Sequence, residues 1–485
     1  MSRAQSPIAV FPRRSRIVPF ALAVFLLAPV AARSQVARYT VGPTGADFTS
    51  IQAAVNACAS GVFSDVDVQA PYTYTENVTI PSTFMTGSIT ITGGWNSTFT
   101  ERDGDPSMTT IDGGGVGRVV DVRISGGSFT LDGFSIVNGA ADNGAGIRVL
   151  PTGTSNPTVK LTNLIIRDND ASSIGFCYGG GVWAQLDDTE RLEVKRCQVY
   201  DNTATVTSGT GAAAGAGLMI VASGTATFLV EHSWVEENIA SSDTGRKDGA
   251  GQFFSLIEDA GGEILNLRVT DNTASGSHPA VSGSGGFLRL TGNAHLIVRR
   301  STWALNSDTT GGLSEQLKLW CENDSSLLLT DSAVALGDQN GLYGVACDTT
   351  ELQLVNLTVA DHTLTGIQLL EYDTSTVTLY NSIAYGNGTN ANLDAGVGTG
   401  NNLIGVDPVF VDPGLPYHNY RLDHGSPGID TGNNSPPGGL GPTDLDVRPR
   451  VENGIVDIGC YEGAGMLFYD GFEGGGTGEW SNTVS

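Results

Sequence analysis

The chain has 485 residues, of which 51 are acidic and 25 basic, giving a formal charge of −26 at neutral pH. A body this acidic repels phosphate backbones and anionic lipid, so nucleic acid and bare membrane surfaces are excluded as unaided partners. Length alone allows about three domains at roughly 150 residues each, but 65 glycines and a charged fraction of 16% suit a chain of many turns around a long, thin core, and a one-dimensional repeat escapes that domain prior.

Arg13, Arg14 and Arg16 precede an apolar run from Ile17 to Val30, followed by the small pair Ala31-Ala32. This is the layout of a secretory signal peptide, predicted over residues 1–32. The run contains Pro19 and Pro29 and is short for a span of about 20 residues, and no later stretch is apolar enough to cross a membrane. The sequence therefore reads as an exported protein, secreted or extracellular, whose body becomes still more acidic when the leader and its arginines are removed.

Residues 36–128 read as an N-terminal cap and first coils. Thr49 or Ser50 offers an N-cap, and Ile51, Ala54 and Val55 form one apolar face of a short helix over residues 51–57. A solenoid leaves its terminal coil open, and a helix laid across it covers core and unpaired strand edge.

From residue 129 to 405 one unit recurs. Apolar runs start near Phe129, Val159, Leu192, Phe228, Ile264, Ile297, Leu327, Leu352 and Val377, at intervals of 25 to 36 residues. Each run alternates with period two, as Leu192 and Val194 against Glu193 and Lys195. A unit so short cannot bury its own apolar face and must stack on its neighbours in parallel, about 4.8 Å apart. The predicted fold class is all-β, a single-stranded right-handed parallel β-helix of about ten coils. Asp168-Asn169, Asp201-Asn202, Glu237-Asn238 and Asp271-Asn272 close the same strand in consecutive units, with Asn306 and Asn387 later. Asn tolerates the left-handed backbone of such a corner, and stacked amides bond up and down as a ladder.

Three further expectations follow from the stacking. Cys321 and Cys347 precede equivalent strand starts, and a rise of about 4.8 Å fits the Cα separation of a disulfide, so a Cys321–Cys347 bond is predicted. Cys177 and Cys197 lie one unit apart, while Cys58 and Cys460 belong to opposite ends. Acidic residues fall in the turn before each strand: Asp187, Asp188, Glu258, Asp259, Glu322, Asp324 and Asp348. Stacked, they form a carboxylate ridge that either binds Ca²⁺ through oxygen ligands or simply keeps the rod solvated. The stretches 172–178, 203–214, 240–248 and 274–284 are expanded, forming a rim of loops on one face whose distinctive residues are Tyr178, Arg246, Lys247 and His278.

Several segments carry family resemblances. Gly45 through Ala57 with Tyr74 through Ile80 resembles the opening of the parallel β-helix of the pectin lyase-like superfamily, pectin methylesterases included. Gly93 through Asn96 and Ile111 through Gly115 resemble segments of bacterial β-helix repeat proteins. The Asp-Asn-x-Ala units with their glycine steps are similar to repeats of polymorphic outer-membrane proteins. Residues 406–463, with Asp407 through Phe410, Tyr420 through Leu422, Gly425 through Gly432, Asp444 through Asp446 and Val456 through Glu462, resemble the choice-of-anchor Q domain, departing from it at Cys460. Residues 464–485, with Asp470 through Glu473, resemble a C-terminal tail of exported proteins of Gram-negative bacteria, which implies a cell-surface or outer-membrane association.

The superfamily contains many polysaccharide-degrading enzymes, so activity must be judged from residues. The methylesterase motifs beyond the opening strand are missing, as are the Gly-His-Gly and Arg-x-Lys of a polygalacturonase-like site. The six histidines are scattered too widely to argue a metal pair or triad. No catalytic residue is assigned and no cofactor is required, Ca²⁺ on the acidic corner aside. The leading reading is a non-catalytic exported rod that binds polysaccharide or another surface component. The alternative is a Ca²⁺-dependent polysaccharide lyase whose base is one of Arg246, Lys247, Arg268, Arg299 or Arg300.

Overall fold

The computed structural model describes residues 36–463 apart from residue 154 and residues 415–417. The signal-peptide segment and the C-terminal tail lie outside the described residues. What is described is a parallel β-helix: strands from successive units pair in parallel, and the strand-turn pattern repeats coil after coil. Each coil supplies a first wall (such as Arg191–Lys195), a second wall (Gln198–Tyr200) and, after an insertion, a third wall (Leu218–Ala222). The third-wall sheet holds 11 strands, close to the expected number of coils. No helix among the described residues is long and apolar enough to cross a membrane.

Register is what turns the alternating pattern into a core. Leu161, Val194, Val230, Ile264, Val298, Leu329, Leu354 and Leu379 occupy one inward column of the first wall, each paired to the next. All are fully buried. Because side chains alternate faces, a slip of one residue would turn such a column outward.

The expected ladder lies at the corner after the second wall. Asn169 donates to Asn202, Asn202 to Asn238, Asn238 to Asn272 and Asn272 to Asn306, each amide to carbonyl at 2.9 Å. The residue before each rung sits in the left-handed region, from Asp168 (φ 56°) to Asp271 (φ 58°). Two later rungs are not asparagine. Gln316, reaching from the third wall, accepts from Asn306 at 2.8 Å, and His362 takes the next slot, its backbone N–H donating to Asn387 Oδ1 at 3.0 Å. The ladder also explains the glycine step. A Cβ at Gly217 or Gly251 would stand 2.7 or 2.6 Å from a rung amide nitrogen, so the third wall can approach the corner only with no side chain there.

The ends are closed differently. Helix Ile51–Ala57 starts at Ser50 and buries Ile51, Ala54 and Val55, as the sequence implies. Its N-terminus is tied down by Glu76, which accepts from the backbone of Ile51 and Gln52 at 2.8 and 2.9 Å. At the other end the chain turns back along the second wall. Leu422 and Ile458 pack on Ile383 and Leu403, and Tyr420 on Ala335 and Ala360. Arg450, fully buried, sits 3.1 Å from Asp331 of the barrel and 3.4 Å from Glu462. Burial pushes Glu462 up to about 7 despite that guanidinium.

All six cysteines are free thiols. The Cys321–Cys347 bond is not formed because Cys321 pairs in register with Ala346, not Cys347. A one-residue offset along a strand is a change of face, so Cys321 is buried while Cys347 is half-buried.

Two outcomes are expected. Asn238→Ala removes one rung and leaves Asn202, Val199 and Glu236 without the partners they have now; urea unfolding should show a loss of about 3 kcal/mol, and a loss below about 0.5 kcal/mol would mean the ladder is dispensable. His362 is held down to about 4 by burial, whereas the unfolded chain takes its proton near the ordinary 6.5. Its neutral form is the one the fold accommodates, so stability is full above pH 6.5 and falls between there and pH 4, by roughly 3 kcal/mol in total. His362→Asn, restoring the residue of the other rungs, should abolish that part of the pH dependence in a denaturation series.

Candidate functional site

The expanded stretches are not a rim of loops. They form two further parallel sheets. One runs through Asp170–Ser173, Thr203–Val206, Ile239–Ser242 and Thr273–Ser275, and the other through Cys177–Tyr178, Ala212–Ala214, Arg246–Asp248 and Val281–Ser282. Between them lies a narrow core made almost wholly of alanine, including Ala171, Ala204, Ala213, Ala240 and Ala274, with Cys177 and Val281. Small side chains let the two layers close, so the insertions stand as a flap attached to the barrel. The chain re-enters the third wall through left-handed glycines such as Gly249 (φ 54°), where a Cβ would meet Gln252 O at 2.0 Å.

Alternation along the flap strands sorts the predicted rim residues. Lys247 occupies the inward column with Cys177, Ala213 and Val281; it is fully buried, and its ammonium donates to the carbonyls of His278 and Ser242. Burial lowers its pKa, and its role is internal. Tyr178 and Asp248 face the other way, toward the third wall, with Arg246 beside them. His278 contributes its backbone carbonyl to Lys247, and its ring accepts from Ala280 N at 3.3 Å.

The groove between flap and third wall is the principal hollow of this face, with two contiguous parts of about 260 and 230 Å³ sharing Arg246, Phe253 and Arg289. Its floor is an outward column of the third wall, Trp183, Met219, Phe253, Phe287, Lys318 and Tyr343, paired in register. Phe253 and Phe287 meet edge to face at 5.1 Å, and Tyr178 leans on Trp183 at 6.5 Å. Lys318 lies over three rings, 5.4 Å from Phe287, 5.6 Å from Trp320 and 5.5 Å from Tyr343, while donating to Ser282 Oγ at 3.1 Å. Arg246 pairs with Asp248 at 2.6 Å, and Arg289 stands 3.8 Å from Glu322. On an acidic chain the groove thus gathers Arg246, Arg289 and Lys318 against Asp248 and Glu322. Asp248 is buried, with one carboxylate oxygen lacking a hydrogen-bond partner, and burial raises its pKa in spite of Arg246.

The acidic corner lies in the turn before the first-wall strand of each coil. The corner column runs Asp188, Gly224, Glu258, Gly292, Asn323, Asp348, Asp373, coil upon coil, so glycine and asparagine separate Asp188, Glu258 and Asp348, while Asp348 and Asp373 are neighbours. Asp187 accepts from Ser223 at 2.6 Å, Asp259 from Asn293 at 2.8 Å, Asp324 from Thr349, and Glu322 from Trp320 at 2.6 Å. No three His, Cys, Asp or Glu among the described residues are placed to hold a cation. Of the basic candidates, Arg268 pairs with Glu236 at 3.3 Å on the second wall, and Arg299 and Arg300 belong to the first wall and its corner, away from this groove.

Arg289, Lys318, Phe253, Phe287 and Trp320 were not singled out by motif reasoning. The signal was available in parity: Phe253-Phe254 and Leu319-Trp320 put apolar side chains on both faces of strands whose outer face should be polar.

No protein-family model matches the chain, and no curated protein matches it. Among solved structures it is similar to the periplasmic alginate epimerase AlgG (TM-score 0.42, 10% identity, covering 71% of this chain and 75% of that one). It is also similar to pectate lyase Pel9A (TM-score 0.40, 11% identity, 89% and 97%), and to the pectin methylesterase from Aspergillus niger (TM-score 0.23, 14% identity, 60% and 85%).

Because Asp248 has a raised pKa, its stabilising form is the protonated one: the contribution is present below the ordinary 3.8 and lost as pH rises through the folded value. Asp248→Asn should therefore stabilise the protein at pH 7, by on the order of 1 kcal/mol, and not at pH 3.5, as read by urea unfolding at the two pH values.

Proposed function

We propose that this protein binds polysaccharide along the groove between flap and third wall, acting as a non-catalytic exported rod. The observation that carries this reading is the floor itself: aromatic side chains from several coils, with Lys318 held over Phe287, Trp320 and Tyr343 and Arg246 and Arg289 at the margins. Phe253 and Phe287 are buried and form the base of the floor, and the half-buried rings of Trp183, Trp320 and Tyr343 are the apolar surface it offers to sugar rings. The three cations suit carboxylate or sulfate substituents, and guanidinium groups read such anions in a bidentate manner.

A polysaccharide lyase is the second reading, and one observation favours it: Asp248, with its raised pKa, lies beside Arg246 within the groove, and a perturbed carboxyl in a cleft is a proton-transfer candidate. The choice-of-anchor and outer-membrane resemblances add a proposed location at the bacterial surface, with the C-terminal segment holding the barrel's last coils.

The test is affinity electrophoresis through gels containing polygalacturonate, alginate or a sulfated glycan, run beside an ultraviolet assay for unsaturated sugar products with Ca²⁺ and with EDTA. Retardation without product, weakened roughly tenfold by Lys318→Ala with Trp320→Ala and relieved by salt, is the expected result. Lys247→Met should leave retardation unchanged. Product release abolished by Asp248→Asn would replace the binding reading with the lyase.

A further inference from the structure

The second wall carries its own surface feature, on a different face from the groove. Its outward column runs Gln198, Trp234, Arg268, Thr302, Ala333, Thr358, Ile383. From Ala333 onward these positions are covered by the returning C-terminal segment and are buried. Above that point the wall is bare. There stands Trp234, 49% exposed and the one tryptophan among the exposed large apolar side chains of the described residues. It lines a hollow of about 280 Å³ with Gln198, Tyr200, Glu236 and Glu237.

Exposing an indole on a strand gains nothing for folding, because the same position is occupied at no apparent cost by Gln198 one coil earlier and Thr302 two coils later. What the surroundings add is a charge rule. The corner beside the platform presents Asp168, Asp201, Glu237 and Asp271, one per coil. Two cations beside it are already held: Arg268 by Glu236 at 3.3 Å, and Arg167 by Asp168. An anionic sugar would therefore meet a row of carboxylates, with Arg268 and Arg167 already engaged. A neutral pyranose meets an indole face for its axial C–H groups, and amide and carboxylate oxygens for its hydroxyls.

We infer that Trp234, with Tyr200, Gln198, Glu236 and Glu237, forms a second sugar site that takes neutral glycan. It is separate in position and in ligand charge from the groove, and it does not depend on the groove reading. The test is titration calorimetry with cellohexaose, xylohexaose and mannohexaose, and with a hexagalacturonate comparator, on the wild type, Trp234→Ala, Trp234→Phe and the Lys318→Ala/Trp320→Ala protein. At least one neutral hexamer should bind the wild type and the Lys318→Ala/Trp320→Ala protein alike. Its affinity should fall roughly tenfold or more in Trp234→Ala and by less in Trp234→Phe, with thermal unfolding unchanged in both. Absence of any neutral binding, neutral binding untouched by Trp234→Ala, or hexagalacturonate binding lost with Trp234 would each overturn the inference.

Discussion

Everything in this molecule depends on coils stacking in exact vertical register. Once the backbone of one coil pairs with the next without slip, each position in the unit becomes a column, and the chemistry of the column, not of the single residue, decides what it does. An inward column of Val, Ile and Leu makes core; a corner column of Asn makes a polar spine whose amides satisfy each other and the backbone at once; an outward column of large side chains, four of its six members aromatic, makes a floor. The spine is what pins the register, because an amide displaced by one residue would be buried without a partner. Where asparagine is missing the slot is still filled, by Gln316 from across the coil and by His362.

The fold was legible because the repeat is written twice, in the alternation of each strand and in the Asn that ends it. The capping helix and its buried face were equally plain, since Ser50, Ile51, Ala54 and Val55 obey local rules. The closing role of Glu76 was not, because it lies a coil away and only the stacking brings it to the helix N-terminus. The same reasoning explains why Cys321 and Cys347 do not pair: their stacking is offset by one residue, and in a strand one residue is the difference between the two faces.

The candidate site was legible only in part, for a physical reason. Loop-like composition in the insertions hid strands, since alanine and serine columns pair as well as valine ones when a narrow flap leaves no room for larger side chains. Taking those stretches as loops kept Arg246 and Lys247 together as neighbours, whereas strand alternation sends one to the groove and the other into the alanine core. On the acidic corner, Gly224 and Gly292 stand between Asp188, Glu258 and the later members of the column, a spacing visible only once the coils are stacked.

The returning C-terminal segment changes how such a rod comes apart. A plain solenoid pulled from its end unzips one coil at a time, each coil held only by the one before. Here Arg450 joins Asp331 to Glu462, Tyr420 bonds Asp361 at 2.8 Å and Cys460 bonds Thr358 at 3.1 Å, so the returning segment up to residue 463 is fastened to coils well inside the stack. Tension applied to the C-terminus is delivered to several coils in parallel and in shear across a packed face, not to a single edge strand. The last coils and the segment packed on them then share the load.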